Sequence, residues 1–289
     1  KRLRLSSRGR GSARRPPQAI TSRSITHAEV AGGECTLVFP HQLFERYPAV
    51  ARGRPIVLIE DSLFFGDPEA PLRFHQQKLA FHRITMDRWA QRRRREGWEV
   101  TLVRYQPGVT CVEVLDRLAR QGFTVWWVAD PIDDWLERRI QRAARRTGAR
   151  VQWLETPAFL VSKAWNEAWF DAHARTRLAD YYIAQRRERG ILLDDNGRPT
   201  GGRWSFDVEN RKPWPHGRQP PPLPRVEMAA EDRRLAAGVA EEFGSNPGCA
   251  LDLWIPTDAD LARRWLEDFV EHRLPEFGPY EDAMAEEHD

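Results

Sequence analysis

The stretch Gly201 to Trp214, GGRWSFDVENRKPW, concentrates chemistry in a segment with neither a helical nor a strand pattern. Paired glycines permit positive φ and close backbone approach. Around them stand three aromatic rings, the cations Arg203, Arg211 and Lys212, and the carboxylates Asp207 and Glu209. Such a mixture suits contact with an anionic, ring-bearing ligand, and equally suits a loop wedged by its own rings and ion pairs. A second set of polar groups follows apolar runs: His41 and Gln42 in Pro40-His41-Gln42, Glu60 and Asp61 before Phe64, and Asp130 before Pro131. Other chemistries are excluded. No GxGxxG or GxxxxGK[ST] follows any strand-like run, which argues against a classical dinucleotide or P-loop site. The three cysteines, Cys35, Cys111 and Cys249, are far apart and form no CxxC, so neither a zinc site nor a disulfide framework is indicated, and a reducing, cytoplasmic setting is expected.

These groups need a scaffold, and the pattern from Cys35 onward supplies one. Short apolar runs at Cys35–Phe39, Pro55–Ile59, Trp98–Tyr105, Phe123–Ala129 and Arg150–Glu155 alternate with helical stretches at about 71–96, 112–121 and 133–147. Alternation of this kind predicts a Rossmann-like α/β domain, a five-stranded parallel sheet with helices on both faces. Its ligands would sit at the carboxyl ends of the strands, beside the topological switch point, where the second polar set lies. After Glu155 the alternation ceases. Helices are expected over 163–172 and 173–189, then the opening loop, then a proline-rich linker over 213–224. Further helices follow over 226–243 and 257–272, with Thr257 as N-cap. The domain reading is therefore a basic, disordered arm (1–33), the α/β domain (34–156), interdomain helices with loop and linker (157–225), and the incomplete start of an all-helical domain (226–289). The net charge is only +3, but arginines cluster at Arg92–Arg95, Arg138-Arg139, Arg145-Arg146 and Arg186-Arg187. Such runs are solvated helix faces or face an anionic partner. No run reaches the roughly 18 apolar residues that span a membrane, and no membrane partner is expected.

Four stretches taken together resemble one family. FPHQL (Phe39–Leu43), IEDSLFF with FHQQKLAF (Ile59–Phe65, Phe74–Phe81), GGRWSFDVENRK (Gly201–Lys212) and FGPYEDAM (Phe277–Met284) are similar, in order and content, to the photolyase-related branch of the cryptochrome/photolyase superfamily, the iron–sulfur and bacterial (6-4) photolyase type. The resemblance covers about residues 35–284 and implies a light-driven flavoprotein, or its N-terminal portion, acting on UV-damaged DNA. Its antenna chromophore would sit in the α/β domain, and FAD and the lesion in a helical domain, most of it expected to be missing here. The iron–sulfur cluster of fuller members would bind cysteines that this chain does not carry.

Residue by residue, the resemblance implies the following. Asp207 and Asp282 match acidic positions of a metal site, and Mg²⁺ held through oxygens and water would suit them; capping of a turn and a local salt bridge are the plainer alternatives. Arg203, Trp204, Arg211 and Lys212 lie near the lesion: the three cations meet DNA phosphates or pair with Asp207 or Glu209, and Trp204 stacks on a base or wedges the loop. Tyr280 begins the FAD contacts, or merely packs a helix. His41, Glu60 and Phe64 line the antenna pocket, with His41 and Phe64 standing where lumazine-binding relatives favour acidic groups. His75 and Lys78 open the long helix as surface residues or anion ligands. The Trp126-Trp127 and Trp165/Trp169 pairs are explained by packing. The function expected is photolyase-like repair of the (6-4) type by electron transfer from reduced FAD, in a monomer. The alternatives are a non-enzymatic chromophore-binding or interaction module, and a blue-light-sensing relative. Catalytic residues are not assigned.

Overall fold

The computed structural model describes residues 33–219, 221–222 and 224–283. The expected basic arm, all but Gly33, therefore lies outside the described residues, as do Pro220, Leu223, Met284 and the acidic end of the chain. Strand β1 (Gly33–Val38) and β2 (Ile56–Ile59) are followed by a single turn, α1 (Ser62–Phe65), and the long α2 (Gln76–Arg95). Then come β3 (Val100–Val103), α3 (Cys111–Arg120), β4 (Phe123–Ala129), α4 (Asp134–Thr147) and β5 (Arg150–Leu154). The five strands are all parallel in the order β3-β2-β1-β4-β5, so the order reverses between β1 and β4. This is the expected Rossmann-like sheet.

The sheet's two faces are separated by the two-residue period of its strands. Val38, Ile56, Leu58 and Val100 face one core with Leu79, Ala80, Ile84, Met86 and Ala90 of α2. Cys35, Leu37, Val57, Ile59, Trp126 and Val128 face the other, covered by α3 and α4 through Leu115, Leu118, Leu136 and Ile140. Local chemistry sets the helix ends. Thr110 and Glu113 form a reciprocal capping box on α3. Asp133 caps α4, which stops at Gly148 in the left-handed region.

Beyond β5 lie α5 (Lys163–Ala172), α6 (Leu178–Arg189), α7 (Ala230–Glu242), α8 (Ala259–His272) and the short α9 (Leu274–Phe277). Helix α6 begins five residues later than the pattern predicts, because His173 ends α5: its ring stacks on Trp169 at 4.4 Å and its Nδ1 lies 2.7 Å from the Trp169 carbonyl. The cap of α8 is Asp258, which accepts from Leu261 N, rather than Thr257, whose hydroxyl donates to Asp232 at 2.8 Å. Helix α7 packs on α2: Ala236, Val239 and Phe243, with Ala250 and Leu253 after it, share the core of the α2 face. Ion pairs seal that contact. Arg88 meets Asp232 at 2.8 Å and Arg83 meets Glu242 at 2.6 Å. No helix among the described residues is long and apolar enough to cross a membrane.

Candidate functional site

The switch point is closed by hydrogen bonds between the loops after β1 and β4. Gln42 donates from Nε2 to the Ala129 carbonyl at 2.9 Å, and Tyr47 donates to the Leu37 carbonyl at 2.7 Å while accepting from Ala129 N at 3.1 Å. His41 lies 2.8 Å through Nε2 from the Pro131 carbonyl. A carbonyl only accepts, so Nε2 carries the proton and Nδ1 is left as an acceptor. That Nδ1 is buried and has no partner, and the same holds for Nδ1 of His82 on α2. Burial lowers both histidine pKa values, that of His82 to about 4, with Lys78 and His41 adding repulsion. Near neutral pH both rings are therefore uncharged.

His41 and His82 line a cleft of about 660 Å³ between the loop after β1, one face of α2 and the start of α8. Phe44, Phe81 and Trp89 supply aromatic walls, and charged groups of both signs, among them Glu45, Arg88, Arg92, Asp258 and Asp260, line the rest with Thr85. The volume falls within the range of small-molecule sites. Phe64 does not line the cleft but backs it, stacked on His41 at 5.0 Å and edge-on to His82 at 5.7 Å.

Glu60 is placed differently from a chromophore acceptor. Its carboxylate is fully buried and takes four donors: Arg83 Nε (3.2 Å) and Nη2 (3.1 Å), Arg104 Nη1 (2.7 Å) and the backbone N–H of Tyr105 (2.9 Å). With every lone-pair direction used, it ties β2 to α2 and the end of β3 and offers nothing to a ligand. Neighbouring Asp61 is likewise internal, accepting from Leu63 N and Cys111 N. His75 caps α2 by accepting from Gln77 N, and Lys78 lies 3.9 Å over the Phe74 ring.

The loop of Gly201 to Trp214 meets the Phe277–Ala283 segment. Lys212 N donates to the Pro279 carbonyl at 3.1 Å, Asp282 N donates to the Asn210 carbonyl at 3.3 Å, and Arg211 pairs with Asp282 at 3.2 Å. Two motifs far apart in sequence thus form one surface. Gly201 has φ +84°, and a Cβ there would sit 2.9 Å from the Phe206 ring, so glycine is required. Trp204 is half-buried under Arg186 and Arg187, at 5.1 and 4.9 Å, while Phe206 is exposed and covered by Arg203. Arg203 pairs with Glu209. Lys212 and Asp207 are exposed with side chains that meet no ionic partner among the described residues. Trp165 and Trp169 pack on Tyr181 between α5 and α6, and Trp126 is buried in the sheet.

For a divalent cation the donor set is thin. Asp282 already holds Arg211, and no group of three or more His, Cys, Asp or Glu residues converges among the described residues. Tyr280 is half-buried, edge-on to Trp214 at 5.0 Å, with Arg218 over both rings. One aromatic pair and one cation do not make a flavin cradle. The three cysteines are free, two buried and Cys249 exposed.

Sequence reading missed His82, Thr85, Trp89 and Asp258. A signal was present: Phe81, Thr85, Arg88 and Arg92 recur at helical spacing beside the buried stripe of α2, a second face with its own role.

Comparison with known proteins agrees with this architecture. The sequence profile of the family described as deoxyribodipyrimidine photo-lyase-related protein matches residues 36–254. An uncharacterized protein of Acanthamoeba polyphaga mimivirus is 27% identical over 189 residues, 62% of this chain and 94% of that protein. The (6-4) photolyase of Agrobacterium fabrum is 26% identical over 227 residues, 74% of this chain but 43% of the photolyase. The chain thus spans less than half the length of that enzyme.

Proposed function

Since the chain belongs to the deoxyribodipyrimidine photo-lyase-related protein family, we propose that it is the chromophore-binding α/β unit of a light-dependent system for repairing UV-damaged DNA, of the (6-4) type. The observation that carries this reading is the aromatic-walled cleft that starts at the loop after β1 and runs along α2, with His41, whose buried Nδ1 has no partner among the described residues, in its lining. A flat heterocycle with ring N–H groups, such as a lumazine, fits those groups: Phe81 and Trp89 would cover its faces, His41 would accept from it, and Thr85 and Arg88 would hold polar substituents. When bound, such a group supplies absorption of blue light. The protein's part is to exclude water, fix the ring's orientation and present a neutral acceptor. The FAD expected of the resemblance finds no cradle at Tyr280, and no step is routed through it. The loop carrying Arg203, Trp204, Arg211 and Lys212 is proposed to face the lesion, with Lys212 its uncommitted cation.

The test is a fluorescence titration of the chain with a ribityllumazine and, separately, with FAD. Lumazine binding at micromolar levels, weakened at least about tenfold in His41→Ala as expected for a buried hydrogen bond, is the predicted outcome. Binding of neither probe, or lumazine binding indifferent to His41 and Phe81, overturns the reading. A second reading has one observation in its favour: the mimiviral relative is matched over nearly its whole length. On that reading the α/β unit acts as a non-enzymatic chromophore-binding or interaction module. It predicts the same titration but no contribution to light-dependent repair.

A further inference from the structure

The amino-terminal edge of the sheet beneath α3 and α4 carries a charge pattern that the chromophore reading does not use. Helices α3 and α4 run antiparallel to the strands they precede, so their C-terminal turns lie at the amino-terminal edge, two residues before β4 and β5 begin. Strands β4 and β5 are neighbours, Val125 pairing with Arg150, and Asp116 of α3 is bridged to Arg146 of α4. Five arginines stand at the ends of these elements: Arg117 and Arg120 on α3, Arg145 and Arg146 on α4, and Arg150 at the start of β5, whose side chain, alternating with Val151, leaves the sheet on the α2 face. All five are exposed. Asp116 is taken by Arg146, Glu113 lies in the field of the same arginine, and Glu34 at the start of β1 is taken by Arg54. The side chains of Arg117, Arg120, Arg145 and Arg150 make no hydrogen bond, ion pair or ring contact with any described residue.

Cations at helix C-termini are favoured by the backbone dipole, which accounts for one arginine per helix. It does not account for four unpaired guanidinium groups from three adjacent elements, whose mutual repulsion must be offset by solvent or by an anion.

We propose that this edge binds the phosphate backbone of duplex nucleic acid, without regard to base sequence or damage. Guanidinium groups match phosphates in bidentate fashion, and backbone contacts of this kind position a protein without reading bases. A membrane surface is the less suitable polyanion. The exposed large apolar side chains include none from α3 or from the C-terminal half of α4, so nothing at this edge would enter a bilayer. The proposal stands on charge and topology, and needs neither a chromophore nor lesion recognition.

The test measures fluorescence anisotropy of a labelled, undamaged duplex with the full chain between about 50 and 200 mM salt. It compares wild type with Arg117→Gln/Arg120→Gln/Arg145→Gln/Arg150→Gln and with the loop variant Arg203→Gln/Arg211→Gln/Lys212→Gln. The edge variant is expected to lose at least about tenfold in affinity, and its log–log salt slope to fall by about one per lost phosphate contact, two or more in all. The loop variant should retain affinity for undamaged duplex. An edge variant that binds like wild type, or a wild-type chain that binds phosphatidylserine vesicles but no duplex, overturns the proposal. Because these side chains have no partners, thermal melting should be unchanged; if the quadruple variant unfolds, the pairs Arg117/Arg145 and Arg120/Arg150 carry the same comparison. Failure here leaves the lumazine titration untouched, so the two readings fall separately.

Discussion

Every lone pair of Glu60 is occupied by a donor from the protein itself, and this makes it a structural carboxylate at an address that looked like a ligand site. Removing its charge strands Arg83 and Arg104 beside a neutral group. Glu60→Gln should therefore destabilise the chain by about 3–5 kcal/mol, the usual effect of breaking a buried pair from one side, read as a shift in urea midpoint at constant slope. His82 gives the residue scale its pH dependence. Its pKa is about 4 when folded, because burial and nearby Lys78 disfavour the charged ring, against an ordinary value of 6.5. Between those values the unfolded chain binds a proton that the folded chain does not, so stability falls as pH drops through the window. The loss should be on the order of 3 kcal/mol by pH 4 and should be absent above about pH 6.5. His82→Asn should flatten that limb in pH-dependent urea melts. A limb unchanged by the substitution would place the acid sensitivity elsewhere.

At the scale of elements, the sheet was legible because its central strands, β2 and β4 above all, are continuous apolar runs, which is what a sheet buried on both faces demands, while the edge strands β3 and β5 mix in polar residues. Asp133 and Gly148 mark α4 to the residue. The departures each have a local cause. Thr257 is drawn to Asp232, which leaves the α8 cap to Asp258, and His173 folds back on Trp169, which delays α6. The attachment of α7 to α2 could not be read in advance, since Ala236 and Val239 are small apolar residues that would serve any helix contact. Nor could the cleft, which depends on α8 arriving beside a face of α2 over 150 residues away in sequence. Sequence did carry the pairing of GGRWSFDVENRK with FGPYEDAM as motifs, though not the Arg211–Asp282 bridge that occupies a carboxylate expected to hold metal. Phe243 tests the α7 packing directly. Its ring touches Phe65 and Tyr105, and Phe243→Ala should cost about 3 kcal/mol and lower the thermal midpoint accordingly. A cost below about 1 kcal/mol would mean that α7 is not part of this core.

For the molecule as a whole, the two faces of the sheet carry different surfaces. The α2 face holds an aromatic-walled cleft with two neutral histidines, and the ends of α3 and α4 on the other face hold arginines with no partner among the described residues. On the proposals made above, one surface takes a light-absorbing ring and the other contacts a polyanion, with the loop of Gly201 to Trp214 proposed to face a lesion. The measurement that tests the chromophore proposal most directly is the absorption and fluorescence spectrum of the purified full chain, repeated on the supernatant after denaturation and on a Phe81→Ala/His41→Ala variant reconstituted in parallel with a ribityllumazine. A visible band that denaturation releases, or that reconstitution restores in wild type but not in the variant, is the predicted result. A chain that is colourless as purified and takes up no lumazine on reconstitution, or a variant that takes it up as well as wild type, would contradict the account.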